Sequence, residues 1–211
     1  MDLNNLFKKW KFNHNLFADL LNMPKGTFNN KLNNNHYASF KNDELITKLI
    51  ELDNSGRNII LIGVTYALLD LIEKQKFKLK NTIIMETGGM KGRRKELIRD
   101  ELHAQLKQGF GVDSIHSEYG MTELLSQAYS KGDGIFECPA WMRILIRETN
   151  DPFTLAETGR TGGVNIIDLA NINSCSFIAT QDLGKLHANH QFEILGRFDD
   201  AALRGCNLLV D

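Results

Sequence analysis

The chain has 211 residues, a formal net charge of −1 and a hydrophobic share of 42%. That share supports a packed core rather than a disordered chain, and near-neutral charge supplies no global pull toward nucleic acid. No run of about 18 apolar residues occurs, so no membrane span is expected, and Met1-Asp2-Leu3-Asn4-Asn5 lacks the basic and apolar segments of a secretory signal. Three cysteines, Cys138, Cys175 and Cys206, are widely spaced and form no C-x-x-C pair or zinc pattern, which reads as a cytoplasmic protein with reduced thiols.

Composition shifts near Asp53-Asn54-Ser55-Gly56, from Asn-, Lys- and Phe-rich text to Gly-bounded apolar runs. The expectation is two modules, residues 1–53 and 54–211. In the first, Leu16, Phe17, Leu20 and Leu21 repeat at helical spacing, and Pro24 suits the first turn of a second helix. The layout is that of a helix-turn-helix within residues 13–33, with Lys25, Thr27, Asn29, Asn30 and Lys31 outward and suited to phosphates and base edges. A small helical bundle without a DNA role fits the same text. A further helix over Asp43–Leu52 would close a three-helix, all-α module.

The second module alternates. Asn58–Val64 predicts a buried strand, Tyr66–Lys74 a helix, Thr82–Met85 a strand, Glu96–Gln108 a helix, Ser114–His116 a strand and Met121–Tyr129 a helix. This order predicts an α/β fold with a mostly parallel sheet covered on both faces. From Gly134 the pattern becomes β-rich: Met142–Arg147, Gly163–Asp168, Ser176–Thr180 and Gln191–Leu195 read as strands.

Ligands of open parallel sheets bind beyond the carboxyl ends of the strands, and three loops qualify. In Thr87-Gly88-Gly89-Met90-Lys91-Gly92 the paired glycines let a ring or phosphate approach the backbone, with Arg93 and Arg94 adjacent. The spacing is not that of a G-x-x-x-x-G-K-S/T phosphate loop, and a tight turn with solvated arginines is the commoner use of such text. In Ser117-Glu118-Tyr119-Gly120-Met121-Thr122-Glu123 the ring of Tyr119 suits a base, Thr122 a phosphate and Glu123 a Mg²⁺ ion. A plain helix start fits that text too. Thr180-Gln181-Asp182-Leu183-Gly184 and Gly196-Arg197-Phe198-Asp199-Asp200 place Asp182 and Arg197 where they suit ribose hydroxyls, although hairpin turns use the same residue types.

Together these stretches resemble the adenylate-forming superfamily. Tyr119-Gly120-Met121-Thr122-Glu123 is similar to its Y-G-x-T-E motif, Thr180-Gln181-Asp182 to T-G-D with Gln181 in place of Gly, and Gly196–Asp200 to G-R-x-D-D. Glu86–Arg94 and the ending Arg204-Gly205-Cys206-Asn207-Leu208-Leu209-Val210 look most like LuxE-type acyl-protein synthetases. The resemblance covers about Asn58 to Val210 and implies part of an adenylate-forming large domain after the small all-α module. It implies ATP and Mg²⁺ as cofactors, a fatty or other carboxylic acid as substrate, and transfer of the acyl group to a thiol, with a partner protein as a further acceptor. By that resemblance Tyr119 stacks on adenine, Gly88 and Gly89 line that pocket with Gly120 among the nucleotide-binding residues, Thr122 meets the α-phosphate, Glu123 the metal, and Asp182 and Arg197 the ribose. Cys206 is the acyl-accepting thiol, with Arg204 nearby to favour its thiolate.

One departure bears on activity. No Ser/Thr/Gly-rich loop ending in Lys precedes Asn58, so a grip on the β- and γ-phosphates is missing from this text. The alternative expectation is a helix-turn-helix regulator fused to a domain that binds a nucleotide or acyl-adenylate without turning it over.

Overall fold

The computed structural model describes residues 42–90, 93–95 and 97–198. The helix-turn-helix expectation, with Lys25, Thr27, Asn29, Asn30 and Lys31, lies outside the described residues, as do Asp199, Asp200 and Cys206.

Helix α1 spans Asn42–Asn54, with Asp43 and Glu44 placed where a helix N-terminus favours negative charge. It stands on the N-terminal side of the compositional shift, yet Leu49 packs into the core formed by the elements that follow. Its end is fixed by Asp53, which is 4% exposed. The Asp53 carboxylate accepts the Lys80 N–H at 3.0 Å, the Asn81 N–H at 2.8 Å and the Thr82 hydroxyl at 2.8 Å. Three donors on one carboxylate offset its burial and tie the helix to the start of the second strand.

The strands β1 (Ile59–Val64), β2 (Thr82–Thr87) and β3 (His116–Tyr119) pair in parallel. Parallel neighbours need crossovers, and helices α2 (Thr65–Lys74) and α3 (Arg99–Phe110) supply them. The two helices approach closely because residue 109 is glycine: a Cβ there would lie 2.6 Å from Ile72. Helix α3 ends at Gly111, whose φ of +69° gives the left-handed cap that glycine adopts without steric cost.

Past Tyr119 the fold departs from the sequence expectation. The helix expected over Met121–Tyr129 is absent, and β4 (Ala128–Ser130) pairs antiparallel with β3, Tyr119 opposite Ala128 and Ser117 opposite Ser130. The physical reason lies in the turn between them. The N–H groups of Leu125 and Ser126 bond the Asp168 carboxylate instead of helical carbonyls. Strand β3 is likewise displaced from the expected Ser114–His116, which puts Tyr119 inside the ladder.

The remaining strands are β5 (Phe136–Glu137), β6 (Met142–Arg147), β7 (Thr161–Asp168), β8 (Phe177–Leu186) and β9 (Phe192–Arg197). All belong to one nine-stranded sheet in the order β1-β2-β3-β4-β5-β9-β8-β7-β6. The α/β expectation holds, but the parallel part is confined to β1–β3, and every later pairing is antiparallel. One core packs α1–α3 with β1 and β2 around Leu106, Phe110 and Ile84. A second packs the β-rich part around Phe136, Phe192 and Ile146. Tyr119, the last residue of β3, belongs to this second core.

Candidate active site

The site is built where β3, β8 and β9 bring their motifs together. Tyr119 is 4% exposed, its ring edge-on to Phe136 and Phe192 at centroid distances of 6.1 and 5.8 Å. Its hydroxyl donates to Asp182 Oδ2 at 2.7 Å. Asp182 lies opposite Arg197 in the β8–β9 ladder, and Arg197 Nε stands 3.7 Å from Asp182 Oδ1. The sequence motifs around Tyr119, Asp182 and Arg197 therefore converge.

Local bonds fix the carboxylate. The Asp182 N–H donates to the Thr180 hydroxyl at 3.0 Å, and that hydroxyl donates to the Val164 carbonyl at 2.9 Å. The Phe198 N–H donates to the Gln181 carbonyl at 2.9 Å. Arg197 Nη2 reaches Gln181 Oε1 at 3.3 Å, while its Nε is buried with no hydrogen-bond partner. A buried donor without a hydrogen-bond acceptor is costly, and a bound group that accepts from it would remove that cost. It sits beside the Asp182 carboxylate, whose oxygens are acceptors. A donor next to an acceptor is what sugar hydroxyls need, so these residues fit a ribose.

The Gly-rich loop lies beyond β2. Gly88 has a φ of +70°, and its carbonyl accepts the Thr65 hydroxyl from the start of α2. The arginines that follow both engage α2, although Arg93 stays exposed and Arg94 only half-buried. Arg93 lies over the Tyr66 ring at 4.8 Å, and Arg94 pairs with Asp70 and with Glu73, the latter at 2.5 Å. Those two carboxylates hold the Arg94 guanidinium above its usual pKa, Glu73 the more strongly. The loop is thus anchored to α2.

Thr122 and Glu123 are both exposed in the turn after β3. Asn171 donates to the Glu123 carbonyl at 2.7 Å, and Asp168, fully buried, accepts from Leu125, Ser126 and Ala170. Trp141 Nε1 completes the set by donating to the Ser126 hydroxyl at 2.8 Å. Asp168, Asn171 and Trp141 were not singled out from sequence; an aspartate at a strand end reads as an ordinary turn residue. Among the described residues no group of three or more His, Cys, Asp or Glu side chains could hold a metal ion. Mg²⁺ commonly needs only one or two carboxylates together with substrate phosphates, which is the kind of site Glu123 suits.

Two polar sets flank β2 and β3, one buried and one half-buried. On one face Glu86, His103 and Ser117 meet, His103 Nε2 lying 3.7 Å from Glu86 Oε1 and 3.4 Å from Ser117 Oγ. Both contacts fall on the same ring nitrogen, so no relay through the ring links them. Glu118 accepts from the Thr87 hydroxyl at 3.0 Å and from Tyr129. Burial pushes the Glu118 carboxyl up, partly offset by those two donors.

The family model described as "Acyl-protein synthetase, LuxE" matches residues 7–211. Among curated protein sequences none matches the chain. The fold is similar to that of ATP-bound MatB from Rhodopseudomonas palustris, with a TM-score of 0.55 and 17% identity over 77% of this chain and 34% of that one. It is also similar to O-succinylbenzoate coenzyme A synthetase (MenE) from Bacillus subtilis in complex with ATP and magnesium, with a TM-score of 0.51 and 20% identity over 76% of this chain and 36% of that one. A MenE double mutant bound with its product analogue gives a TM-score of 0.58 and 18% identity, over 80% of this chain and 36% of that one. The chain thus spans about a third of the length of these structures. No described helix is long and apolar enough to cross a membrane.

Proposed function

Because the chain belongs to the LuxE acyl-protein synthetase family, we propose that it activates a carboxylic acid, a fatty acid above all, with ATP and passes the acyl group to the thiol of Cys206. The observation that carries the reading is the convergence of Tyr119, Asp182 and Arg197, with a buried, unbonded Arg197 Nε beside a buried carboxylate.

In this reading Asp182 accepts from the ribose hydroxyls and Arg197 donates to them. Tyr119, Gly120 and the Gly88–Gly89 backbone line the adenine pocket. The Thr122 hydroxyl bonds the α-phosphate, and Glu123 holds Mg²⁺. When bound, the metal offsets the negative charge of the phosphates. A carboxylate oxygen of the acid attacks the α-phosphorus, the bond to the bridging oxygen breaks, and pyrophosphate leaves. Fixed donors such as Thr122 stabilise the charge that develops on the phosphoryl oxygens. The Cys206 thiolate then attacks the acyl carbonyl, a thioester forms, and AMP departs. Burial counts against Cys138 as acceptor: loss of solvent, with Asp168 adding to it, pushes its thiol up to about 12.

The text before Asn58 holds no Ser/Thr/Gly-rich loop ending in Lys, so pyrophosphate exchange by this chain alone is proposed to be slow relative to AMP binding. The test is AMP binding by the full chain with Mg²⁺, followed by fatty-acid-dependent ATP–pyrophosphate exchange. Binding with acid-dependent exchange is expected. Binding without any exchange leaves the non-catalytic sensor, and no binding sinks both.

A further inference from the structure

Arg147 closes β6, and its side chain crosses β7 to reach β8. Its partner across the β6–β7 ladder is Gly163. A Cβ at Gly163 would lie 2.5 Å from Arg147 Cζ, so only a glycine leaves the guanidinium room to pass. Register toward β8 slips at that point, between Gly163 and Asn165 of β7, so Val164 has no partner in the β7–β8 ladder while it stays opposite Ile146 of β6. The Val164 carbonyl is satisfied instead by side chains. Arg147 Nη1 donates to it at 3.0 Å, and the Thr180 hydroxyl at 2.9 Å.

The rest of the guanidinium reaches residues that flank the Asp182–Arg197 pair. Nη1 also donates to Asn165 Oδ1 at 2.7 Å, and Nη2 donates to the Thr180 carbonyl at 2.6 Å. Arg147 Cζ stands 5.6 Å from the centroid of the Phe198 ring. Thr180 is the residue whose hydroxyl receives the Asp182 N–H, and Phe198 directly follows Arg197. One planar, multi-donor group therefore grips the backbone just before Asp182 and the ring just after Arg197.

We propose that Arg147 is a positioning residue that sets the spacing of Asp182 and Arg197 and so the grip on the ribose. The proposal rests on the ribose reading of that pair given above. Lysine does not substitute, since one ammonium cannot hold three acceptors in a plane and lie over a ring.

The full chain is titrated calorimetrically with AMP and with 2′-deoxy-AMP, both with Mg²⁺, as wild type, Arg147→Lys and Phe198→Leu. Wild type is expected to favour AMP by about tenfold or more, the size of one hydrogen bond to a charged group. In both variants AMP is expected to bind about tenfold weaker and the preference to fall to nearly none. In an Asp182→Asn background, Arg147→Lys is expected to add nothing further. A folded variant, by circular dichroism, that keeps the wild-type preference overturns the proposal, because a merely structural role leaves the ratio alone. Should Arg147→Lys not fold, Phe198→Leu decides, since it removes only the ring contact. Wild type with no preference, or no AMP binding, instead overturns the ribose reading itself.

Discussion

The Tyr119 hydroxyl donates to Asp182 Oδ2 across 2.7 Å, joining residues 63 positions apart. Tyr119 thus acts through its polar end as well as its ring. Tyr119→Phe keeps the ring among Phe136 and Phe192 and removes one donor from a buried carboxylate. The expected cost is about 1.5–3 kcal/mol in urea unfolding, the range for a hydrogen bond to a charged group. AMP affinity is expected to fall as well, because the Asp182 carboxylate loses one of the donors that orient it. Unchanged stability and unchanged affinity together would show that the bond does not hold the site.

Asp168 governs the turn that presents Thr122 and Glu123. It is fully buried and accepts from Leu125 N–H at 3.2 Å, Ser126 N–H at 3.0 Å, Ser126 Oγ at 2.7 Å and Ala170 N–H at 3.1 Å. Asp168→Ala strands these donors, and roughly 2–4 kcal/mol of stability is expected to be lost, water satisfying part of the set. Limited proteolysis is expected to cut within residues 121–127 first. Asp168→Asn keeps one accepting oxygen and is expected to be milder. Equal stability of Asp168→Ala and wild type would remove Asp168 from this role.

Glu118 supplies a pH test with a definite sign. Burial raises its pKa in the folded chain, the Thr87 and Tyr129 hydrogen bonds opposing that in part. The folded chain therefore holds the proton at pH values where the unfolded chain has released it. Its contribution is fully present below the unfolded pKa and is lost as pH rises through the folded one. Stability is expected to decline as pH rises from the ordinary glutamate range upward, and Glu118→Gln to flatten that decline. Parallel wild-type and Glu118→Gln stability–pH curves would assign the effect elsewhere.

The first two parallel strands and the crossover helices were legible because each carries its own signal, whereas β3 begins two residues after the expected start. Asn58–Val64 and Tyr66–Lys74 differ from the observed β1 and α2 by one residue at the start. The stretch after Tyr119 was not legible, because its conformation is decided by a partner 42 residues away. Thr122 and Glu123 suit a helix start on local grounds, but the Asp168 carboxylate takes the Ser126 N–H that a helix would need. The anchoring of Arg94 was not legible for a related reason: nothing in Gly92-Arg93-Arg94 reveals that Asp70 and Glu73 on α2 face it. Motif order carried Tyr119, Asp182 and Arg197 without any knowledge of register. Arg147 carried no such signal, since its role depends on Gly163 standing opposite it.

The acyl acceptor is the remaining test. Cys175 is exposed, its thiol bonded to the Phe177 carbonyl at 3.2 Å, and Cys138 is partly buried with its thiol pushed up to about 12. A thiol with that pKa is almost wholly protonated at neutral pH and is a poor nucleophile. Incubation with radioactive fatty acid, ATP and Mg²⁺ is therefore expected to leave hydroxylamine-labile label on wild type and on Cys138→Ser and Cys175→Ser. Cys206→Ser is expected to lose it while still binding AMP, which separates loss of the acceptor from loss of the nucleotide site. Equal label on Cys206→Ser and wild type would exclude the thioester at that residue. Label lost only in Cys175→Ser would move the acceptor to the β7–β8 connection, next to Phe177.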